Sequence, residues 1–368
     1  MKLVIQRTVL LNALLYVVRA VEKRQTMPIL SHVLLIAHQQ SIKLITTDTE
    51  IQLQVALKDV EVVEQGATTL PGKKLLDICR SLPEQAELTI EHEMNQAVIR
   101  SGRSRFSLAV LSVDDFPQIE PESAIAELNI HAPVLHKLLK NTQFAMALQD
   151  VRYFFNGVML ALSKGKILAV ATNGHRLAFA QAICPIEDID IQVILPRKGV
   201  NELHHLLDNL SEMEQITVNF GNYSVWVESK EFIFTSKLID GKYPDYQNVV
   251  PRNGLIELNL QRDEFKAALN RTMILANEQF NGVQLRISED SLLISAHNPD
   301  QEVAEEELAI NYQGESFDIC FNAKYLLDIL NVVPEGEVRL TLSDAFSSVL
   351  IESLDDDSCL YVVMPIRL

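Results

Sequence analysis

The chain has 368 residues, of which 48% are hydrophobic and 22% charged, and its formal net charge at pH 7 is −17. This composition is typical of a folded globular protein and excludes an intrinsically disordered chain. The length exceeds what one hydrophobic core usually supports, so we expect several domains.

The first predicted element is a helix close to the amino terminus. An apolar run from Val9 to Val18 has the character of a secretory signal, but Asn12 interrupts it, Arg19 follows it, and no small-x-small cleavage site comes after. Its apolar residues recur at helical spacing, which favours an amphipathic helix. No apolar run approaches the ~20 residues that a membrane helix needs. We therefore expect a cytoplasmic protein that makes no membrane contact.

A long internal repeat organises the rest of the chain. The pattern of Phe155–Leu160 occurs 125 residues earlier at Leu30–Leu35 and 125 residues later at Phe280–Leu285. Predicted turns recur in the same register, with the residues Thr47, Thr172 and His297 followed by Asp48, Asn173 and Asn298. The period is too long for a solenoid, so each copy is a domain. We expect three domains, at residues 1–126, 127–254 and 255–368.

Each copy contains two segments with helical spacing, separated by segments in which apolar and polar residues alternate. Alternation with period two is typical of antiparallel strands with one face in water. The predicted helices are Val9–Lys23, Lys73–Ser81, Pro133–Ala147, Lys198–Leu210, Asp263–Ala276 and Ala323–Val332. We predict an α+β fold of three repeated domains, each an antiparallel sheet packed under two helices.

Charged residues are distributed unevenly along the chain. Acidic runs fall in predicted loops and edges, where a solvated surface is their ordinary interpretation. Basic residues lie on the predicted helices of all three copies, and this repetition predicts one shared basic surface: Arg19, Lys23, Arg24, Lys73, Lys74, Arg80, His136, Lys137, Lys140, Arg197, Lys198, Lys266, Arg271 and Lys324.

No motif in the sequence predicts catalysis or metal binding. His204 and His205 are neighbours, and on a helix they point about 100° apart and cannot share an ion. Gly174–Arg176 could hold a general base, but no nucleophile motif or phosphate-binding glycine loop accompanies it. Asp48 and Glu50 could share a strand face as a carboxylate pair, although the second copy does not repeat them. We expect no enzyme activity and no cofactor.

The cysteines stand singly, without the C-x-x-C spacing of a zinc site or a redox motif. Their scatter predicts reduced thiols at Cys79, Cys184, Cys320 and Cys359.

The sequence resembles the bacterial sliding clamp family, the beta subunits of DNA polymerase III, along its whole length. The resemblance is most specific at Arg100–Leu108, Gln149–Tyr153, Ala171–Leu177, Pro196–Val200 and Tyr361–Leu368. It implies the DNA clamp fold and a head-to-tail homodimeric ring that encircles duplex DNA without sequence specificity. Such a ring tethers the polymerase III alpha subunit, the clamp loader, other polymerases and repair proteins through short peptide motifs.

Helix spacing agrees with a ring of two chains. Six helices spaced ~10 Å apart in a circle place their axes at a radius of about 9.5 Å and leave a hole of about 4.5 Å radius. A duplex roughly 20 Å across cannot enter such a hole. Twelve helices leave a hole of about 14 Å radius by the same spacing. The sequence therefore predicts a dimer.

The resemblance also implies the residues of two contact surfaces. The subunit interface would join a strand of the first domain to the third domain of the partner, with apolar side chains flanked by opposite charges: Arg103, Arg105, Phe106, Ser107 and Leu108 against Ile274, Leu275, Glu302, Glu305 and Glu306. The DNA contacts would be Arg24, Gln149, Arg152, Tyr153, Arg197 and Lys198. Phe154 stands where relatives often carry tyrosine, which removes a hydroxyl contact.

A third surface implied by the resemblance is a groove for a peptide that carries Gln followed by a leucine and an aromatic residue. The resemblance implies that the apolar tail Tyr361–Leu368 lines this groove. Exposed apolar surface of this kind usually marks an interaction site. The matching residues are Phe155, Thr172, Gly174, His175, Arg176, Leu177, Pro244, Val249, Tyr325, Phe346, Ser348, Val362, Met364, Pro365, Ile366 and Arg367. Asn248, Phe346 and Ile366 depart from the family, and the bulkier Phe346 should narrow the aromatic subsite.

Two other functions compete with this interpretation. A protein-only scaffold that never meets DNA would have a uniformly acidic helical surface, and the basic helices argue against it. A hydrolase built from repeats would have a single deep pocket with paired carboxylates or a metal.

Overall fold

A computed structural model describes residues 1–21, 27–120, 122–186, 189–251, 254 and 256–367. These residues form two compact units, one of Met1–Pro133 with Lys198–Leu238 and the other of Val134–Arg197 with Ile239–Leu368. The predicted domain boundaries near Glu127 and Gly254 stay a prediction. In the part of the chain described, no helix combines the length and the apolar character that crossing a membrane requires.

The helices and strands repeat one order three times, with one additional strand, β5, in the first copy. The first copy contains β1 (Lys2–Gln6), α1 (Arg7–Val17), β2 (His32–His38), β3 (Ser41–Thr47), β4 (Ile51–Lys58), β5 (Glu61–Glu64), β6 (Gly66–Pro71), α2 (Gly72–Ser81), β7 (Glu87–Glu93), β8 (Gln96–Ser101) and β9 (Ser104–Ala109). The second contains β10 (Ala126–His131), α3 (Ala132–Thr142), β11 (Gly157–Ser163), β12 (Lys166–Thr172), β13 (Arg176–Ile183), β14 (Ile191–Pro196), α4 (Arg197–Asp208), β15 (Gln215–Phe220), β16 (Ser224–Glu228) and β17 (Ile233–Lys237). The third contains β18 (Ile256–Gln261), α5 (Arg262–Thr272), β19 (Gly282–Ser288), β20 (Ser291–His297), β21 (Val303–Ala309), β22 (Phe317–Asn322), α6 (Ala323–Val332), β23 (Glu337–Leu342), β24 (Val349–Ser353) and β25 (Cys359–Val363).

The strands form four antiparallel sheets. The first unit holds a five-stranded sheet in the order β5-β1-β7-β8-β9 and an eight-stranded sheet in the order β10-β15-β16-β17-β4-β3-β2-β6. The second unit holds an eight-stranded sheet in the order β14-β11-β12-β13-β25-β24-β23-β18 and a four-stranded sheet in the order β21-β20-β19-β22. Each eight-stranded sheet joins two copies of the repeat, through β17 with β4 and through β13 with β25. The predicted α+β class and the antiparallel sheets are confirmed.

The helix predictions were wrong at several carboxyl ends. The α-helices end at Val17, Thr142 and Thr272, and each continues as a short 3₁₀ turn. The hydroxyls of Thr142 and Thr272 donate to carbonyls four residues earlier, at 2.8 and 3.1 Å, which competes with the regular helical pattern. A tighter final turn then satisfies the remaining carbonyls. Lys23, the predicted end of the first helix, lies outside the described residues, whereas the prediction of Ala323–Val332 is confirmed.

The turns predicted from the repeat register are confirmed, and their side chains explain the recurrence. Asp48 accepts hydrogen bonds from the backbone N–H groups of residues 50 and 51, and Asn173 accepts them from residues 175 and 176. Asn298 accepts from residues 300 and 302. A short Asp or Asn side chain can cap its own turn in this way, which is why these residue types recur.

One residue of the acidic run 120–127 is not simply solvated, which corrects the sequence interpretation. The carboxylate of Glu122 accepts hydrogen bonds from the backbone of Asn222, Tyr223 and Ser224 at 2.8–3.1 Å and from the Ser224 hydroxyl at 2.6 Å. Partial burial alone would raise the pKa of Glu122, but the bonds from the hydroxyl and backbone of Ser224 and from its neighbours outweigh it and lower the pKa. Glu122 thus holds the turn between β15 and β16.

We predict that Glu122→Gln destabilises the first unit at pH 7 by about 1–2 kcal/mol, since several charge-assisted hydrogen bonds are weakened at a partly exposed site. Because the pKa of Glu122 in the folded chain is lower than its unfolded value of 4.5, the ionised carboxylate stabilises the folded state above pH 4.5. This stabilisation is lost as the pH falls through the pKa of the folded state. Urea unfolding at pH 7 and at pH 3 can be monitored by the fluorescence of the single tryptophan, Trp226 in β16. The difference in free energy of unfolding between the unaltered chain and the variant should be smaller at pH 3 than at pH 7.

Glu120→Gln is the matched control, because Glu120 is exposed and belongs to the same acidic run. Equal destabilisation by both variants would show that general charge, rather than the turn contact, is what matters.

Candidate peptide-binding groove and the other predicted contact residues

The carboxyl-terminal tail lies along the surface of the second unit after β25 ends. The backbone N–H of Met364 donates to the carbonyl of His175 at 2.9 Å, and that of Ile366 donates to the carbonyl of Cys320 at 2.8 Å. These bonds fix the backbone of the tail between the start of β13 and strand β22. The side chain of Met364 remains 48% exposed. The tail is therefore held in place while part of its apolar surface stays open.

Two hollows open on either side of this tail, and we call them together the groove. The first has a volume of about 590 Å³ and the second about 650 Å³, and both are lined by His175 and Met364. The sixteen residues predicted to bind a peptide all line one hollow or the other. The first holds Phe155, Thr172, Gly174, His175, Arg176, Leu177, Pro244, Val249, Phe346, Ser348, Val362 and Met364. The second holds His175, Tyr325, Met364, Pro365, Ile366 and Arg367.

A tight turn between β12 and β13 forms one wall of the first hollow. The hydroxyl of Thr172 donates to the carbonyl of Arg176 at 2.6 Å and accepts from the N–H of Gly174 at 3.0 Å. Gly174 has a φ of +88°, which favours glycine. A Cβ at this position would also lie 3.1 Å from the guanidinium of Arg152. The backbone conformation therefore favours glycine here, whereas a Cβ would only need the flexible end of Arg152 to shift slightly.

Arg176 is a structural part of the groove and only 9% exposed. Its guanidinium donates to the carboxylate of Asp328 on α6 at 2.5 Å and to the carbonyl of Phe144. The same group lies 4.4 Å from the centroid of the Tyr325 ring and 5.1 Å from that of Phe144, within the range of cation–π contacts. One buried cation therefore connects β13, α6 and the segment after α3.

The segment 243–251 contributes residues to the first hollow that the sequence interpretation missed, apart from Pro244, Asn248 and Val249. They are Tyr243, Asp245, Tyr246, Val250 and Pro251. Tyr243 is buried beside Phe155, with ring centroids 6.2 Å apart. Burial raises the pKa of its hydroxyl, which keeps the floor of the hollow uncharged. Tyr243 and Tyr246 stand on either side of Pro244, and these aromatic residues beside a proline were a usable signal of a folded wall.

The residues that depart from the family lie at the edges of the groove. Phe346 is 81% exposed, so its ring stands at the rim of the first hollow and not in its floor. Asn248 donates to the carboxylate of Asp245 at 2.9 Å. That Phe346 narrows the aromatic subsite stays a prediction.

The predicted DNA contacts fall in several different settings. Gln149 and Tyr153 belong to an exposed loop, in which Tyr153 is 73% exposed. Arg152 of the same loop donates to both carboxylate oxygens of Asp150 at 2.8–3.0 Å and lies 4.6 Å from the centroid of the Phe155 ring. The side-chain bond from Arg152 lowers the pKa of Asp150 to about 2. Arg24 lies outside the described residues.

Two further predicted DNA contacts are engaged by the protein itself. Arg197 donates to the carbonyls of Met146 and Ala147, both at 3.2 Å, and so braces the start of the exposed loop. In the first unit, Lys198 forms an ion pair with Asp48, whose side chain is only 3% exposed. The shared basic surface is therefore weaker than the sequence interpretation expected. Other basic residues of that set also hold carboxylates, as in the pairs Arg19–Glu202, Lys137–Asp356 and Arg271–Glu306.

The predicted subunit contacts lie at the edges of two sheets. Among the described strands, β9 has a neighbour only in β8, and β21 has a neighbour only in β20. Arg103 and Arg105 are exposed at the β9 edge, whereas Leu108 is nearly buried. Near β21, Ile274 is 77% exposed. Glu306 already binds Arg271 at 2.6 Å, so Glu305 is the freer carboxylate on this edge.

A metal site was not expected, and within the described ranges no group of three His, Cys, Asp or Glu side chains is arranged to hold an ion. His204 and His205 have ring centroids 5.9 Å apart.

Comparison with known proteins places the whole chain in one family. Models of the N-terminal, central and C-terminal domains of the DNA polymerase III beta subunit match residues 1–120, 129–245 and 247–367. The beta sliding clamps of Pseudomonas putida and Escherichia coli K12 are 43% and 41% identical to the chain, with all of each chain covered. The crystal structure of the DNA polymerase III subunit beta from Pseudomonas aeruginosa matches with a TM-score of 0.97 at 42% identity, over 100% of both chains. The chain therefore belongs to the DNA polymerase III beta subunit family, the beta sliding clamps.

Proposed function

We propose that two copies of this chain form a closed head-to-tail ring around duplex DNA and act in the cytoplasm as a processivity factor. The groove binds short peptide segments of the replicative polymerase, the clamp loader, other polymerases and repair proteins, and so tethers them to DNA. No catalytic step belongs to this function. The groove carries the proposal, since all sixteen residues implied by the family resemblance meet at its two hollows.

The chemistry of the groove suits a peptide with apolar anchors. Phe155, Leu177 and Val362 are buried in the floor of the first hollow, so an entering leucine or aromatic side chain is removed from water there. The second hollow is also mainly apolar, but Asn322 and His297 are among its lining residues, and their side chains can hydrogen-bond a glutamine side chain. A peptide lying across Met364 would place its leucine and aromatic residues in the first hollow and its glutamine beside Asn322 and His297 in the second.

The sheet edges support a dimer. Strands at an edge present unpaired backbone groups, and a free edge is a ready template for pairing with another chain. The β9 edge carries arginines and the β21 edge carries glutamates. Because the two edges differ, their pairing between two copies is head-to-tail, and such a contact closes into a ring if the rotation allows it.

We predict that Leu275→Arg weakens the dimer, because a cation would be placed among the apolar contacts of the interface. Sedimentation velocity at micromolar concentration should show the unaltered chain as a dimer and this variant shifted toward monomer.

Val63→Arg is the matched control, since Val63 is a 57% exposed apolar residue of β5, at the opposite edge of the β9 sheet. The proposed ring would be contradicted if the unaltered chain sediments as a monomer, or if the Leu275→Arg variant dimerises normally.

We predict that Met364→Ala lowers the affinity for a fluorescent Gln-Leu-x-Leu-Phe peptide about tenfold, because Met364 borders both hollows and burying a methionine stabilises by roughly 1.5–3 kcal/mol. Deleting residues 364–368 should abolish binding while leaving the dimer intact. Fluorescence anisotropy measures the affinity and sedimentation measures the dimer.

The control is Met213→Ala, because Met213 is 81% exposed in the first unit and does not line the groove. Unchanged peptide affinity in the truncated chain would place the binding site elsewhere.

A further inference from the structure

A further pocket opens on the sheet face that carries the first hollow. It has a volume of about 390 Å³ and is lined by residues of β12, β13 and β25 together with the turn after β11 and the segment 246–250. We call it the strand-face pocket. Its lining includes Lys164, Lys166, Leu168, Phe179, Tyr246 and Leu360.

The strand-face pocket continues the first hollow. Both are lined by Tyr246 and Val250. Side chains alternate along a strand, so Thr172 of the first hollow and Leu168 of the strand-face pocket point to the same face of β12. Four residues of strand separate them, or about 13 Å. A bound segment that leaves the first hollow in extended form would therefore reach Leu168 after about four residues.

The floor of the strand-face pocket is apolar and already packed. The rings of Phe179 and Tyr246 have centroids 5.8 Å apart. Together with the half-buried Leu168 and Leu360 they pack against the same buried cluster that includes Phe155 of the first hollow. The two pockets therefore share the apolar packing beneath them, and Tyr246 and Val250 line both.

The open end of this pocket is positively charged. Lys164 and Lys166 are both exposed there, although the chain as a whole has a net charge of −17. Lys164 and Gly165 have φ values of 51° and 72°, as in the tight two-residue turns of β-hairpins, which fix the position of this corner. Lys166 donates to the neutral side chain of Gln181 at 3.0 Å. Among the described residues, neither lysine has a carboxylate partner.

We propose that the strand-face pocket binds the residues that flank the groove-binding motif in the same partner segment, and that it selects an apolar residue next to acidic ones. The apolar side chain covers Leu168 and the Phe179–Tyr246 pair, and the carboxylates face the two lysines. This inference rests on the proposed function of the groove. It assigns a specificity site to a surface outside the two hollows.

The test compares fluorescent peptides on the full-length chain. One contains only Gln-Leu-x-Leu-Phe, and two others carry a six-residue Gly-Ser-Gly-Leu-Asp-Asp extension at either the amino or the carboxyl end, so that the leucine is the fourth residue after the motif in the carboxyl-extended peptide. We expect the carboxyl-extended peptide to bind about three- to tenfold more tightly than the short one, because the aromatic end of the motif lies in the first hollow, and two exposed ion pairs and a small apolar contact each contribute modestly. The Lys164→Glu/Lys166→Glu double variant should lose this gain and bind the short peptide unchanged.

Lys43→Glu/Lys58→Glu is the matched control, because it changes the net charge equally on the exposed face of the β3–β4 hairpin in the first unit. It should keep the gain. The inference is overturned if neither extension improves binding, or if the Lys164→Glu/Lys166→Glu chain still prefers the extended peptide. Failure of the short peptide to bind the unaltered chain would instead overturn the groove itself.

Discussion

The buried guanidinium of Arg176 is the contact on which the groove depends. It connects the turn of Gly174 to the carboxylate of Asp328 and to the rings of Phe144 and Tyr325. Removing Asp328 would leave this buried guanidinium with less compensation, although the cost is smaller than in a fully buried pair because the Asp328 side chain is itself 40% exposed. The turn that forms one wall of the first hollow is therefore held by the protein itself, and a site that is already ordered loses less conformational entropy on binding.

The unpaired sheet edges set the second constraint. An exposed edge strand can pair with other chains and cause aggregation, so proteins usually cover such edges or place charged side chains on them. Here the arginines of β9 and the glutamates of β21 give the two edges opposite charge, which favours pairing between unlike edges and disfavours pairing between like ones. The arginines and glutamates that protect a single chain from aggregation would thus also determine which edge of the partner each edge binds in a ring.

The repeat and the fold class could be predicted from the sequence because both depend on local patterns. The 125-residue register gave the recurring Asp48, Asn173 and Asn298 turns, whose capping bonds are local. Contacts between distant residues could not be predicted in this way. Arg176 and Asp328 are 152 residues apart, and nothing near either residue indicates the pair.

The residues around the groove also divide into those that could be predicted from the sequence and those that could not. The sixteen predicted residues of the groove came from the family resemblance. The wall formed by Tyr243 and Tyr246 was not predicted and is seen only in the folded structure. Helix ends were missed because the hydroxyls of Thr142 and Thr272 tighten the last turn through contacts that helical periodicity does not report.

The settings of two predicted DNA contacts, one in each unit, fit a protein that slides along DNA. Arg152 is held by Asp150 and Lys198 by Asp48, so a phosphate would have to compete with a carboxylate for either cation. Phosphate contacts of this kind are weak and sensitive to salt, and they allow movement along a duplex. In the proposed ring, retention on DNA would then come from closure around the duplex rather than from affinity.

The most direct test of the ring is to load the chain onto closed circular duplex DNA with a clamp loader and measure the bound fraction before and after one double-strand cut. We expect the chain to remain on the closed circle and to run off once the DNA is linear. Equal retention on the circular and the cut DNA would contradict a ring that encircles the duplex.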